Sequence, residues 1–152
     1  MAQTIQVAIA VPLLDGMGVI VVTILNHALT LFVVINFIRH ERRVRHAGAA
    51  FWSDVAIAGI VILLALIAHF IDIALWAALF RFRGEFLNYG TALYYSAINY
   101  TTLGSDVVMT AKSRLLGPLE ATDAMLMFGV STAMVFTIIQ RLVQIRYPDL
   151  RD

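Results

Sequence analysis

Seven consecutive residues of the chain combine oxygen-bearing side chains with a single glycine, which suits them to hold a dehydrated cation. The glycine permits unusual backbone dihedrals, so carbonyl oxygens can join the side-chain hydroxyls around an ion. In order, the residues are Tyr100, Thr101, Thr102, Leu103, Gly104, Ser105 and Asp106. We predict a selectivity filter at residues 101–106, with the ligands for a monovalent cation at 101–104. Asp106 would place a carboxylate at its outer mouth, where it attracts cations and repels anions.

The composition indicates a membrane protein. Of the 152 residues, 61% are hydrophobic and 14% are charged, whereas soluble domains are nearer half apolar and one quarter charged. A net charge of +1 does not indicate a basic surface that would bind nucleic acid. The lack of cysteine excludes disulfides and thiolate chemistry. The sequence has no nucleophile–base constellation or glycine-rich phosphate loop. We therefore expect neither an enzyme nor a cofactor.

Three apolar runs are long enough to cross a bilayer, which takes roughly 20 residues. They cover residues 17–38, 54–80 and 119–140, the last within a helix predicted to reach 143. Pro12, Asp15 and Gly16 are expected to break the helix before the first run. That break would leave residues 5–14 as a short interfacial or external piece.

A shorter segment, residues 88–100, lies between the second and third runs. As a helix it would measure only about 20 Å, so it can enter a membrane but not leave by the other side. With 101–106 it predicts a re-entrant helix and loop. The predicted fold is therefore an all-α membrane protein with three transmembrane helices plus this re-entrant element. The alternative is that 101–106 is an ordinary external loop between two helices.

Positive charge predicts the orientation in the membrane. Seven arginines would share the face reached after the first and third runs, against four basic residues on the other face. We therefore expect a multi-pass protein of the cell (inner) membrane with its N-terminus outside and its C-terminus cytoplasmic. Four of the seven follow the first run, and they either fix the topology or also bind anionic lipid headgroups. These four are Arg39, Arg42, Arg43 and Arg45.

Motifs around the predicted filter link the chain to a known family. From residue 91 to 141 the sequence resembles the pore module of the two-transmembrane-helix potassium channel superfamily, and is most similar to small bacterial members with an extra N-terminal helix. The residues that carry this resemblance are Thr91-Ala92-Leu93-Tyr94-Tyr95-Ser96, Tyr100-Thr101-Thr102-Leu103-Gly104, Asp106-Val107-Val108 and Arg114-Leu115-Leu116-Gly117-Pro118-Leu119-Glu120-Ala121.

The resemblance implies a domain organisation. Residues 1–46 would form the N-terminal transmembrane helix with its basic cytoplasmic connector, and 147–152 a short cytoplasmic tail. Residues 47–146 would form the pore module, four copies of which surround one pore. Its parts would be an outer helix at 54–80, a pore helix at 88–100, a filter at 101–106 and an inner helix at 119–143.

The filter departs from the pattern of this family in one important respect. The family has Thr-Val/Leu-Gly-Tyr-Gly-Asp, whereas this chain has Thr102-Leu103-Gly104-Ser105-Asp106. Ser105 stands in place of the tyrosine, and the second glycine is missing. Because the tyrosine anchors the filter and the glycine presents an outer carbonyl, we expect outer ion sites to be lost. The hypothesis is a pore that passes cations but distinguishes potassium from sodium poorly, or conducts little.

Other polar residues lie at membrane depth. His69 and Asp72 share one face of the second helix, either as a proton-sensing pair or as structural partners of the pore helix through Tyr95, Ser96 or Asn99. In the third helix, Gly129 is either the gating hinge that the family resemblance implies or a close-packing residue.

Further expectations concern acids and histidines. Glu120 and Asp123 are expected to stabilise a helix N-terminus, and the four histidines are too scattered in sequence to predict a metal cage.

These features favour a homotetrameric channel for monovalent cations. One subunit cannot enclose such a pore, so a closed ring of identical chains is required. The expected partners are further copies of the chain, membrane lipids and the permeant potassium or sodium ions. An alternative is a non-conducting membrane scaffold or sensor subunit that keeps the pore architecture. A proton-coupled transporter using His69 and Asp72 is a further alternative, although no internal repeat supports it.

Overall fold

The computed structural model describes residues 9–44 and 51–147 and consists of four α-helices in this part of the chain. They are α1 (Ala10–Val44), α2 (Phe51–Phe82), α3 (Tyr89–Tyr100) and α4 (Leu116–Arg146). Within α1, α2 and α4, the stretches Ala10–Glu41, Trp52–Phe82 and Leu116–Gln144 are long and apolar enough to cross a membrane. The all-helical fold with three long apolar helices is thus confirmed.

The helix α1 begins earlier than the sequence predicts. It continues through Pro12, Asp15 and Gly16 without a break, so the predicted external piece is wrong for residues 10–14; residues 5–8 lie outside the described part. Pro12 is tolerated because it lies in the first helical turn, where backbone N–H groups have no partner within the helix. Gly16 is buried against α4, where a Cβ atom would lie 2.8 Å from Leu119 Cδ1. Glycine here allows two helices to approach closely rather than ending one of them.

The helix α3 is short and lies between α2 and α4. Its 12 residues measure about 18 Å, which is too short to cross a bilayer. Asn88 begins the helix, because its side chain accepts a hydrogen bond of 2.7 Å from the Gly90 N–H. Among the described residues, α3 contacts α2 and α4 but not α1, whereas α1 contacts α2 and α4. The four helices therefore meet through α2 and α4.

Two apolar clusters hold the helices together at different levels. The larger cluster is aromatic and includes Trp76, Phe80, Tyr95 and Tyr100, which join α2 to α3. Phe80 and Tyr95 meet edge to face with ring centroids 5.3 Å apart, a favourable arrangement for aromatic pairs. The smaller cluster joins α1 and α2 to α4 and contains Val34, Ile57 and Val61. Many apolar side chains on the three long helices face outward, as expected for surfaces in contact with lipid.

Candidate functional site

The segment 101–106 leaves the C-terminal end of α3 and remains fastened to it. The backbone N–H groups of its first three residues donate to carbonyls in the last turn of α3 at 2.9–3.1 Å. The Thr101 hydroxyl donates to the Ala97 carbonyl at 2.8 Å, and the Ser105 hydroxyl accepts from the Val107 N–H at 3.1 Å. No donor among the described residues bonds to a backbone carbonyl of 101–106. The segment thus has its first N–H groups satisfied and its carbonyl oxygens available.

Two residues of this segment have a positive φ, outside the helical and extended regions. Gly104 has a φ of 75°. Thr102 has a φ of 60° and is the only non-glycine residue with a positive φ in the described part of the chain. A positive φ costs a non-glycine residue roughly 1–3 kcal/mol, and such strain concentrates at functional sites. The side chains are largely exposed, and Leu103 is 80% exposed although it is apolar. A single chain therefore presents this segment on its surface.

Behind the segment, a buried polar cluster joins all four helices around the carboxylate of Asp72. We call it the Asp72 network, and its members are Asn26, His27, His69, Asp72, Tyr100 and Ser131. The carboxylate accepts hydrogen bonds from Asn26 Nδ2 at 2.8 Å, His27 Nε2 at 2.8 Å and the Tyr100 hydroxyl at 2.9 Å. Asp72 and Tyr100 are completely buried. Three donors on two further helices thus satisfy one buried carboxylate inside the bundle.

The direction of each hydrogen bond in the Asp72 network follows from that carboxylate. When Asp72 is an ionised carboxylate, which can only accept, His27 Nε2 carries a hydrogen and the Tyr100 hydroxyl donates its hydrogen to Asp72. His69 Nδ1, 2.9 Å from the Tyr100 oxygen, must then be the donor in that contact. His27 Nδ1 lies 3.2 Å from the Ser131 hydroxyl on α4. The network therefore forms one connected set with a donor for every acceptor in these contacts.

Two of the four histidines lie next to each other in the structure. His27 and His69 are far apart in sequence, yet their ring centroids are 4.8 Å apart. Ligand atoms of these two histidines and Asp72 lie within 4.8 Å of one another, a spacing that a metal ion can use. Hydrogen bonds already occupy both oxygens of Asp72 and both nitrogens of His27. Internal hydrogen bonding therefore accounts for this cluster.

The sequence analysis placed His69 and Asp72 on one face of α2, and the structure brings both to α3. Their partner there is Tyr100, the last residue of the helix, and not the predicted Tyr95, Ser96 or Asn99. Ser96 instead donates to the Ile73 carbonyl at 2.8 Å. The two residues thus contact the position directly before the segment 101–106.

A second buried cluster overturns the explanation given for the acids of α4. This helix begins at Leu116, so neither Glu120 nor Asp123 lies in its first turn. Both side chains are completely buried. Asp123 accepts from the Thr23 hydroxyl at 3.0 Å and from Trp76 Nε1 at 2.9 Å, and Glu120 contacts the Ser96 hydroxyl. These acids therefore join helices instead of stabilising a helix terminus.

Two other groups of predicted site residues lie away from the segment. Gly129 has no described neighbour within 4 Å of where a Cβ would lie, so close packing within this chain does not explain it. The hinge role stays a prediction. Arg39 is exposed and lines a cavity of about 320 Å³ between α1 and α4 together with Arg141. The side chains of Arg42 and Arg43, and the whole of Arg45, lie outside the described part of the structure.

Polar contacts also fasten the loops that flank α3. Arg83 donates to Asp15 Oδ2 at 3.1 Å, which joins the end of α2 to the beginning of α1. Glu85 accepts from the Thr110 N–H at 3.0 Å, which joins the loops before and after α3. Partial burial by itself raises the pKa of Glu85. Hydrogen bonds from Thr110 and Ser113 and the charge of Arg83 outweigh this effect and hold that pKa below its usual value.

The sequence analysis underestimated the polar residues of α1. It did not predict that Asn26 and His27 are direct partners of Asp72. A signal was present, because Thr23, Asn26, His27 and Thr30 recur at spacings of three and four and therefore share one helix face. A polar stripe on an apolar helix indicates a buried partner, since such groups are costly in lipid.

Comparisons of this chain with the models of protein families, with curated proteins and with solved structures find no match.

Proposed function

We propose that the chain is the subunit of a homotetrameric channel for monovalent cations in the cell (inner) membrane. In this proposal α3 is the re-entrant pore helix, 101–106 is the filter, and α2 and α4 are the outer and inner helices of a pore module similar to that of potassium channels. The observation that carries the proposal is a short helix between two long apolar helices that ends at a segment with unused carbonyl oxygens.

Three features of the filter segment support cation binding. The C-terminal end of α3 directs the negative end of its dipole toward residues 101–106. The positive φ values at Thr102 and Gly104 take the backbone out of the hydrogen-bonding pattern of a helix. The side chain of Asp106 is exposed, so its carboxylate is accessible to ions at the mouth. Carbonyls, hydroxyls and a carboxylate together provide the oxygen ligands that alkali cations require.

The exposure of the filter segment supports assembly around an axis. In one chain the apolar side chain of Leu103 and the hydroxyls of Thr101 and Thr102 are all uncovered. A ring of four subunits would enclose these groups and bring four sets of carbonyl oxygens around one ion. The same ring would place the four Asp106 carboxylates around the entrance, where they raise the local cation concentration.

Ion flux in reconstituted liposomes and reversal potentials in planar bilayers test the proposal. We expect a tetramer that conducts potassium and sodium with little discrimination, because Ser105 replaces the filter tyrosine and the second glycine is missing. Anion current, or a monomeric protein without flux, would refute the channel. A strong preference for potassium in the reversal potential would refute the weak selectivity only.

A matched pair of variants separates the filter from general effects on folding. Gly104 and Gly84 both have positive φ, 75° and 74°, and neither has a neighbour within 4 Å of where a Cβ would lie. Gly104→Val and Gly84→Val therefore impose a similar backbone strain at two different places. We expect Gly104→Val to abolish the current and Gly84→Val to preserve it. Equal currents from the two variants would contradict the position of the filter.

The shortened filter also supports a second candidate, a non-conducting scaffold or sensor subunit that keeps the tetrameric architecture. It predicts a tetramer of normal stability with no cation flux. The orientation is testable in either case, because the natural chain has no cysteine. With Asp106→Cys and Arg39→Cys, a membrane-impermeant thiol reagent added outside intact cells should label only the former.

A further inference from the structure

The first helix is connected to the end of the pore helix through Asp72 of α2. Among the described residues α1 and α3 have no direct contact, and Asp72 of α2 lies between them. Asn26 and His27 bind this carboxylate from α1, while the Tyr100 hydroxyl binds it from α3. A single carboxylate is therefore shared by the helix that precedes the pore module and the helix that carries the filter.

The position of Tyr100 makes this shared carboxylate important for the filter. Tyr100 is the last residue of α3, and Thr101 follows it directly. Its ring is completely buried and meets Phe128 of α4 edge to face at a centroid distance of 5.4 Å. The N–H groups of residues 101–103 bond to the last turn of α3. Whatever fixes the end of α3 therefore also fixes the first carbonyls of the filter segment.

Position 105 has a serine where the potassium channel superfamily has its anchoring tyrosine, so an anchor at the other end of the segment becomes more important. In the described part of the chain, the outer half of the segment is held by one local hydrogen bond, which the Ser105 hydroxyl accepts from the Val107 N–H. The inner half, in contrast, directly follows Tyr100, which is a member of the Asp72 network. Thr102 holds a positive φ in this inner half, and a strained conformation persists only where its surroundings fix it.

We propose that Asn26 and His27 of α1 are positioning residues for the filter, which act through Asp72 on Tyr100 and thereby set the geometry of residues 101–103. The inference rests on the proposed channel function for its effect on ions, but the anchoring itself does not. In this arrangement α1 does more than cross the membrane, because it completes the hydrogen bonds that hold the end of the pore helix.

The test compares three variants of α1 in the full-length protein. His27→Leu removes the donor to Asp72. His27→Gln keeps an amide N–H near the position of Nε2 and is the conservative rescue. Thr23→Val is the matched control, since Thr23 is equally buried on α1 and also donates to a carboxylate, but that carboxylate belongs to Asp123 and contacts Trp76 instead of Tyr100.

Two measurements are made on each variant: hydrogen exchange of the amides of residues 101–103, and the potassium-to-sodium permeability ratio. Loss of a hydrogen bond between transmembrane helices should increase exchange by about 3-fold to 20-fold in His27→Leu. We expect the permeability ratio of this variant to change as well. His27→Gln should restore both values toward those of the natural protein, and Thr23→Val should alter neither.

The two measurements separate this inference from the proposed function. If the natural protein carries no current, the channel proposal fails, while faster exchange in His27→Leu alone still supports the anchor. If the natural protein conducts and His27→Leu changes neither exchange nor permeability, the anchor is refuted and the channel stands. Equal effects of Thr23→Val and His27→Leu would also refute it, because the cause would then be general helix packing.

Discussion

Removal of the Tyr100 hydroxyl tests how much the Asp72 network contributes to stability. Tyr100→Phe keeps the buried ring and its contact with Phe128 but removes one oxygen that takes part in two hydrogen bonds. One is the donation to Asp72 and the other is the acceptance from His69 Nδ1, both at 2.9 Å. The change leaves the His69 N–H without this acceptor, while Asp72 keeps its bonds to Asn26 and His27.

The size of the effect depends on the reference state in the membrane. Hydrogen bonds between transmembrane helices contribute on average about 0.6 kcal/mol and at most about 1.7 kcal/mol each. Two such bonds give a loss of about 1–2 kcal/mol. In a soluble interior, a bond to a charged group contributes about 1.5–3 kcal/mol, and the orphaned donor adds to its loss. We therefore expect Tyr100→Phe to lower the free energy of unfolding by about 1–2 kcal/mol. The hydrogen-bond energies measured in soluble proteins would give about 3 kcal/mol.

Reversible unfolding in mixed detergent micelles, followed by circular dichroism, measures this difference. Protein concentration is held constant, because subunit assembly would make the stability depend on it. Tyr94→Phe is the control, since Tyr94 lies on the same helix but its side chain is 70% exposed. The control should change the free energy by less than about 0.5 kcal/mol. Equal values for the two variants would show that the network does not stabilise the fold.

Three further predictions concern the helix contact, the loops and the mouth. Gly16→Val should lower the free energy of unfolding by about 1–3 kcal/mol because it overpacks the contact of α1 with α4, whereas Gly18→Val, with open space around it, should be nearly neutral in the same assay. Because its pKa is lowered, Glu85 stabilises the protein above pH 4.5, and this contribution disappears as the pH falls through the lowered pKa. Between pH 7 and pH 3, the melting temperature of Glu85→Gln should therefore fall less than that of the natural protein. Asp106→Asn should reduce cation current at low ionic strength and have little effect in concentrated salt, where the carboxylate is screened.

The Asp72 network also gives a physical reason for ionisable side chains inside this bundle. A charged group at the centre of a bilayer is costly unless protein or water satisfies it. Here Asp72 receives three donors, and Asp123 receives donors from α1 and α2. These two carboxylates and their donors connect all four helices. The apolar side chains of the long helices would pack no better on each other than on lipid. Polar contacts thus specify which helix faces meet.

Some sequence rules failed because they describe isolated helices. Pro12 and Gly16 suggested a break, but proline in a first turn loses no hydrogen bond, and Gly16 is required by the closeness of Leu119. Glu120 and Asp123 suggested a stabilised helix N-terminus, but the helix begins earlier and buries both. In each case the local pattern was compatible with two structures, and tertiary packing selected between them.

The amino-acid sequence alone determined the parts of this protein that depend on length and composition. Three apolar runs predict three long helices, and the short segment before Thr101 predicts a helix that cannot cross a bilayer, because the rise per residue is constant. Only the tertiary structure decided that Asn26 and His27 meet Asp72 and that Tyr100 completes the network. The pairing of side chains so distant in sequence depends on how each helix is rotated and where it crosses its neighbours, and periodicity within one helix contains no such information.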